Sequence, residues 1–265
     1  MAGRPERASA TEMKEIMRGS GRSPKVSPSL RIAETFTSRQ GEGRLTGTMS
    51  FFIRTSGCNL RCWFCDTPYA SWQPEGEHQA IGRLVEQAVE SGCGHVVLTG
   101  GEPLLPVGVV ELVERLRAES LHVTIETAGT VFRELTADLI SISPKLADSG
   151  PRHHDGPNSD PELDPSWTQR HEATRWRPEV IRQLIDRSVD HQLKFVVDRP
   201  EDFAAAVEAA AEIGASPGAV WIMPQGTTEA ALDTTAVWLA PLCEAVGFQY
   251  CDRLHIRWYG NRRGT

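Results

Sequence analysis

"MSFFIRTSGCNLRCWFC" (49–65) decides how this chain is read. Its first half, Met49 to Ser56, is a short run rich in Phe and Ile, the composition of a buried strand. Its second half places Cys58, Cys62 and Cys65 in the spacing C-x3-C-x2-C. A structural zinc site needs a fourth Cys or His, and such ligands usually come in spaced pairs. None stands nearby. Thiolates suit zinc, copper(I) or iron–sulfur clusters. Three of them suit a cubane four-iron cluster with one iron left open to a small molecule. The remaining cysteines, Cys93, Cys243 and Cys251, are scattered through apolar stretches and read as small buried hydrophobes. In a reducing cytosol a tight cluster binds metal rather than pairing.

Outward from this stretch, short apolar runs alternate with amphipathic ones. Strands are expected at 49–56, "HVVLTG" (95–100), "HVTIET" (122–127), "LISIS" (139–143), "LKFVVD" (193–198) and "AVWIMP" (219–224). Between them, "IGRLVEQAVES" carries apolar residues at Ile81, Leu84, Val85, Ala88 and Val89, which is helical spacing. Similar patterns fill 107–119, 179–190, 201–213 and 229–246. Alternating strands and helices predict an α/β fold with a mainly parallel sheet and right-handed crossovers. Chemistry in such a sheet sits at the carboxyl ends of the strands. The residues found there are "GCNLRCWFC", "GGEP", "AGT", "PK", "RPED" and "QG".

Residues 1–29 are rich in Arg, Ser, Pro and Gly, and the composition predicts a disordered tail. Residues 30–265 are then one domain. A long, polar, proline-rich segment at 147–178 interrupts it and reads as a disordered surface insertion, with a lid as the alternative. His153, His154 and Asp155 lie there without a regularly spaced third ligand, so an exposed loop is expected rather than a metal site. The net charge of −7 provides no electrostatic case for nucleic acid. No apolar run is long enough to cross a bilayer, and the first residues lack the core of a signal peptide, so a cytoplasmic protein is expected.

With Phe64 before the last cysteine, the C-x3-C-x2-C stretch resembles the signature of the radical S-adenosylmethionine superfamily, and "LTGGEP" (98–103) resembles its second motif. The resemblance implies a partial β/α barrel whose cluster loop follows the first barrel strand. It also implies a 4Fe-4S cluster held by Cys58, Cys62 and Cys65, with S-adenosylmethionine chelating the open iron and yielding a 5′-deoxyadenosyl radical. "QGEG" (40–43), "FIRTSGCNLRC", "CDTPYA", "SPK" (143–145), "KFVV" (194–197) and "IMPQG" (222–226) narrow the likeness. In this order they resemble the 7-carboxy-7-deazaguanine synthases of the queuosine-type deazapurine pathway. That family rearranges 6-carboxy-5,6,7,8-tetrahydropterin to 7-carboxy-7-deazaguanine with loss of ammonia, and uses magnesium. The likeness runs from about Leu30 to Arg263 but omits the insertion. It further implies a homodimer and an electron donor such as flavodoxin.

The individual residues fit those roles. Glu42 can accept from the guanidine-like edge of a pterin, and Gln40 can both donate and accept. Gly41 would let backbone approach a flat ring. Arg54 offers a fork for the substrate carboxylate, against the plainer reading of an ordinary ion pair. Thr99 falls near substrate by resemblance. Asp66 and Thr67 are hard oxygen donors suited to magnesium, although "CDTP" is also a plausible simple turn. Phe64, Gly101, Glu102, Glu126, Ser143, Lys145 and Gln225 are the candidates for holding S-adenosylmethionine. A lysine or serine at a strand end is often only a solvated cap, and His255 is as readily structural as catalytic. Two other readings stay open: a glycyl-radical-enzyme activase, and a zinc-stabilised binding module.

Overall fold

The computed structural model describes residues 28–152, 158, 160 and 162–265. The 1–29 tail falls almost wholly outside them, as do His153, His154 and Asp155. Among the described residues one sheet orders its strands β3-β1-β2-β4-β5-β6-β7-β8-β9. These are β1 (Ser29–Arg39), β2 (Met49–Thr55), β3 (Glu77–Ala80), β4 (His95–Gly100), β5 (His122–Thr127), β6 (Leu139–Ile142), β7 (His191–Val197), β8 (Val220–Pro224) and β9 (Gln249–Tyr250). From β2 to β9 every neighbouring pair is parallel, while β1 runs antiparallel to both β2 and β3. The ends of the sheet, β3 and β9, do not pair with each other, so the barrel is partial.

The crossover helices are α2 (Ile81–Glu90), α3 (Val109–Ala118), α5 (Pro178–Arg187), α6 (Pro200–Ile213) and α7 (Glu229–Val246). Short helices α1 (Pro68–Ser71) and α8 (Leu254–Tyr259) flank the site, and α4 (Ser166–Arg175) lies in the insertion. The helices cover the outer face of the sheet. Ile81, Leu84 and Ala88 of α2 and Leu112 and Leu116 of α3 are fully buried against Val96, Leu98, Val123 and Ile125. Burying such side chains contributes roughly 1.5–3 kcal/mol each. Gly214 and Gly247 end α6 and α7 in the left-handed conformation, freeing the chain to turn back into the sheet.

The expected core strands and helices are present within a few residues of their predicted ends. Three strands were not foreseen. β1 is long but only half covered, with a bulge between Ile32 and Glu34, so its apolar alternation is broken. β3 and β9 have 4 and 2 residues. The insertion also departs from expectation. Its described residues include a 3-10 turn, Ala147–Ser149, and the ten-residue helix α4. His171 of α4 is completely buried. These described residues pack on the protein. Among the described residues no helix is long and apolar enough to cross a membrane.

Candidate active site

The carboxyl ends of the strands surround a cavity of about 480 Å³, within the range of small-ligand sites. Cys58, Cys62 and Cys65 line it from the loop after β2. Burial pushes the Cys62 thiol up to about 12, and burial followed by repulsion from Cys62 drives Cys58 the same way. Thiols so buried stay un-ionised in the bare cavity and are not free nucleophiles; a cationic cluster there would hold them as thiolates. No three His, Cys, Asp or Glu among the described residues close around a single ion. The three thiols line one cavity, and three soft donors without a fourth suit an iron–sulfur cluster better than a structural zinc. The loop follows β2 closely because Gly101 presses against it. A Cβ on Gly101 would lie 2.2 Å from the Gly57 carbonyl oxygen, and the Glu102 N–H donates to that carbonyl at 2.9 Å.

Opposite the cysteines lies an array of buried charge. The Lys194 ammonium on β7 donates to Glu42, and Arg253 Nε sits 3.3 Å from the other Glu42 oxygen. Arg253 also donates to Asp66 and, at 2.7 Å, to the Gly226 carbonyl. Burial alone would raise the Glu42 carboxyl. The adjacent Lys194 and Arg253 charges overrule it and hold the group far below the usual carboxylate range. Burial would likewise lower Lys194, but Glu42 and then Glu126 push it up. Gln40 joins the array, donating from Nε2 to Glu126 at 3.1 Å and accepting from the Glu42 N–H at 3.1 Å. His255 Nδ1 is 3.7 Å from Glu42, and burial holds its pKa down. Gly43, at φ 72°, closes the turn that presents Glu42.

Gln40, Gly41, Glu42, Arg54, Thr99, Phe64, Asp66, Thr67, Gly101, Glu126, Ser143, Lys145 and Gln225 all line this one cavity together with the cysteines. Arg54 does carry the ordinary ion pair weighed against it: its Nε donates to Glu34 at 2.7 Å. Lys145 turns back on its own strand end, donating to the Ser143 carbonyl at 2.8 Å and hydroxyl at 2.7 Å. Glu102 stands apart from the other candidates. It is fully buried outside the lining, and accepts from Leu104 N–H, Thr127 Oγ1 and Ala128 N–H at 2.8–3.0 Å. Its carboxylate therefore braces the ends of β4 and β5 instead of reaching into the cavity. Cys251 is not merely an apolar filler either, since its sulfur accepts from the Gly43 N–H at 3.1 Å beneath Glu42.

Lys194, Arg253, Glu34 and Tyr69 were not among the sequence candidates. The signal for Lys194 was a lysine inside the apolar run "LKFVVD", where burial demands a partner. Glu34 ties Arg54, Tyr69 (2.7 Å) and Arg263 (3.1 Å) at the cavity wall, and Arg263 stacks 4.0 Å over the Tyr69 ring. Such a network joins residues far apart in the sequence and leaves no local pattern.

Residues 52–153 match the model of the radical SAM superfamily. A 7-carboxy-7-deazaguanine synthase of Rhodopirellula baltica is 51% identical over 237 residues, 89% of this chain and 89% of that one. Another, of Halobacterium salinarum, is 43% identical over 86% of this chain and 90% of its own. The crystal structure of QueE from Escherichia coli shares the fold, with a TM-score of 0.60 at 22% identity, covering 84% of this chain and 93% of that one. With the cysteine-lined cavity at the mouth of an open parallel barrel, these likenesses place the chain in the 7-carboxy-7-deazaguanine synthase family of radical SAM enzymes.

Proposed function

We infer that this chain converts 6-carboxy-5,6,7,8-tetrahydropterin to 7-carboxy-7-deazaguanine with loss of ammonia, in a queuosine-type deazapurine pathway. The observation that carries the reading is an ionised, largely buried Glu42 facing the same cavity as three cysteines. Cys58, Cys62 and Cys65 would hold a 4Fe-4S cluster, which together with S-adenosylmethionine would supply the hydrogen abstraction that no side chain can perform. The chain's own residues bind and orient. Glu42 accepts from the N–H groups of the pterin edge, and Lys194 and Arg253 keep it charged for that purpose. Gln40 and Glu126, already joined by a hydrogen bond, extend the polar wall. Gly41 and Thr99 border the ring, and Arg54 takes the substrate carboxylate. Phe64, Gly101, Ser143, Lys145 and Gln225 form the S-adenosylmethionine side. Lys145 would exchange its contacts with Ser143 for the cofactor carboxylate.

Magnesium belongs to this proposal through Thr67 and, less directly, Asp66. Both line the cavity, but Asp66 is held by Arg253. Thr67 therefore supplies the direct ligand, and Asp66 orients a bound water unless Arg253 lets go. A reductant such as flavodoxin, a cytoplasmic location and a homodimer complete the reading. A glycyl-radical activase would bind protein backbone and has no use for a buried carboxylate on "QGEG". A zinc module has no use for the cavity. The test is anaerobic incubation of the reconstituted protein with S-adenosylmethionine, a reductant and the carboxytetrahydropterin. Mass analysis should find 7-carboxy-7-deazaguanine and ammonia. Cofactor cleavage without that product would sink the substrate assignment.

A further inference from the structure

The three-cysteine loop is held from outside the barrel by described residues of the polar segment 147–178, which interrupts the alternation of strands and helices. His171 of α4 is completely buried. Its Nδ1 accepts from the backbone N–H of Arg61, the residue between Cys58 and Cys62, at 3.1 Å. Burial holds the ring near pKa 4, so it is neutral and its proton sits on Nε2. Nε2 then donates to Ser149 Oγ at 3.0 Å, and that hydroxyl donates to the Leu146 carbonyl at 2.6 Å. The Ser149 and Asp148 carbonyls accept from the backbone and indole N–H groups of Trp63, at 3.3 and 2.9 Å. Asn158 donates to the carbonyls of Trp63 and Cys65, at 3.0 and 2.7 Å. The Arg61 guanidinium lies 3.7 Å over the Trp167 ring of α4 and donates to the Cys58 and Leu60 carbonyls.

Each link falls on Arg61, Trp63 or Cys65 of the cluster loop, most of them on backbone groups. A surface insertion has no reason to concentrate its buried polar contacts there. We propose that α4 and the turn before it form a splint for the cluster loop, with His171 as the positioning residue that sets the path between Cys58 and Cys62. The splint keeps the three thiols at the separation a cluster requires and keeps water away from them. The inference rests on the cluster assignment made above.

The experiment uses full-length protein reconstituted with iron and sulfide, challenged with an iron chelator, and separately titrated for the cluster midpoint potential. His171→Phe keeps the ring and removes both hydrogen bonds. It should lose iron about tenfold faster than the parent, the factor expected when a buried N–H loses its acceptor. Its potential should move upward, because water admitted to the loop favours the more negatively charged reduced cluster. His171→Asn restores an acceptor for the Arg61 N–H and should return both readings toward the parent. Trp167→Leu, on the partly exposed side of the splint, should show the same trend more weakly and covers the case in which His171→Phe does not fold. Iron loss from His171→Phe within about twofold of the parent, or equally fast loss from His171→Asn, overturns the positioning role. If His171→Phe does not fold, parent-like behaviour of Trp167→Leu overturns it. A parent that takes up no cluster overturns the cluster assignment itself, which separates the two failures.

Discussion

Glu42 is the residue on which the substrate pocket turns. A carboxylate taken out of water survives ionised only beside paired cations, and Lys194 and Arg253 supply them. Glu42→Gln should weaken carboxytetrahydropterin binding by about 2 kcal/mol, the usual scale for a charge-assisted hydrogen bond, with cluster content unchanged. Parent-like affinity in calorimetric titration would remove Glu42 from the pocket. The pH dependence has a definite sign. A carboxyl whose folded pKa is depressed stabilises the fold above its unfolded value, and that stability drains away as pH falls toward the folded value. The denaturant midpoint of the parent should therefore fall more steeply below about pH 4.5 than that of Glu42→Gln. Thr67→Val keeps the shape at the cavity wall and removes the oxygen. It should lower turnover and abolish most magnesium stimulation with the cluster spectrum intact; an undiminished response would place the ion elsewhere. Arg54→Lys should also cost affinity, since a point charge cannot replace a planar fork even while it still pairs with Glu34.

At the scale of elements, the loop 58–65 and helix α4 differ in how far their sequences reveal them. The loop was legible because cysteine spacing carries ligand chemistry directly. Replacing Cys58, Cys62 or Cys65 by Ala should abolish the 4Fe-4S absorption and S-adenosylmethionine cleavage, whereas Cys93→Ala should keep both. Cys251→Ala belongs to neither class: it should keep the cluster yet weaken substrate binding, because the Gly43 N–H loses its acceptor under Glu42. The α2 and α7 helices were also legible, both from apolar residues at helical spacing. "SWTQRHEATR" was not, because its inward contacts are made by His171 and Trp167, which present polar and cationic-facing surfaces to the cluster loop. Apolar periodicity does not register a helix that packs through an imidazole and an indole. β1 escaped for a related reason: half of it faces solvent or the polar cavity wall, and the bulge at Ile32/Glu34 breaks its alternation.

At the scale of the whole molecule, the cavity is closed by segments from opposite ends of the described chain. The turn after β1 brings Gln40 to Gly43, and the segment entering α8 brings Cys251 to His255. The contacts that join them include Glu42 with Arg253 and with His255, the Gly43 N–H with Cys251, and the Leu254 N–H donating to the Gly41 carbonyl at 3.0 Å. An open barrel needs such a clasp, because its edge strands β3 and β9 do not meet to shut the mouth. This also explains why Arg253 could not be found from spacing: its partners are Glu42 and Asp66, distant in sequence, and only the sheet order brings them together. Arg253 is almost wholly buried, so Arg253→Met, of similar length and without charge, tests the clasp directly. It leaves Asp66 unpaired and Glu42 with Lys194 as its remaining close cation. Breaking a buried pair from one side costs about 3–5 kcal/mol, and relaxation of Asp66, which is partly exposed, brings the expectation to the lower end of that range. Urea unfolding of the cluster-free protein should show that loss. In reconstituted protein, substrate affinity should fall while cluster absorption persists, since among the described residues Arg253 makes no hydrogen bond to a cysteine. Unfolding and affinity both equal to the parent would mean that the chain's two ends close the cavity without this residue.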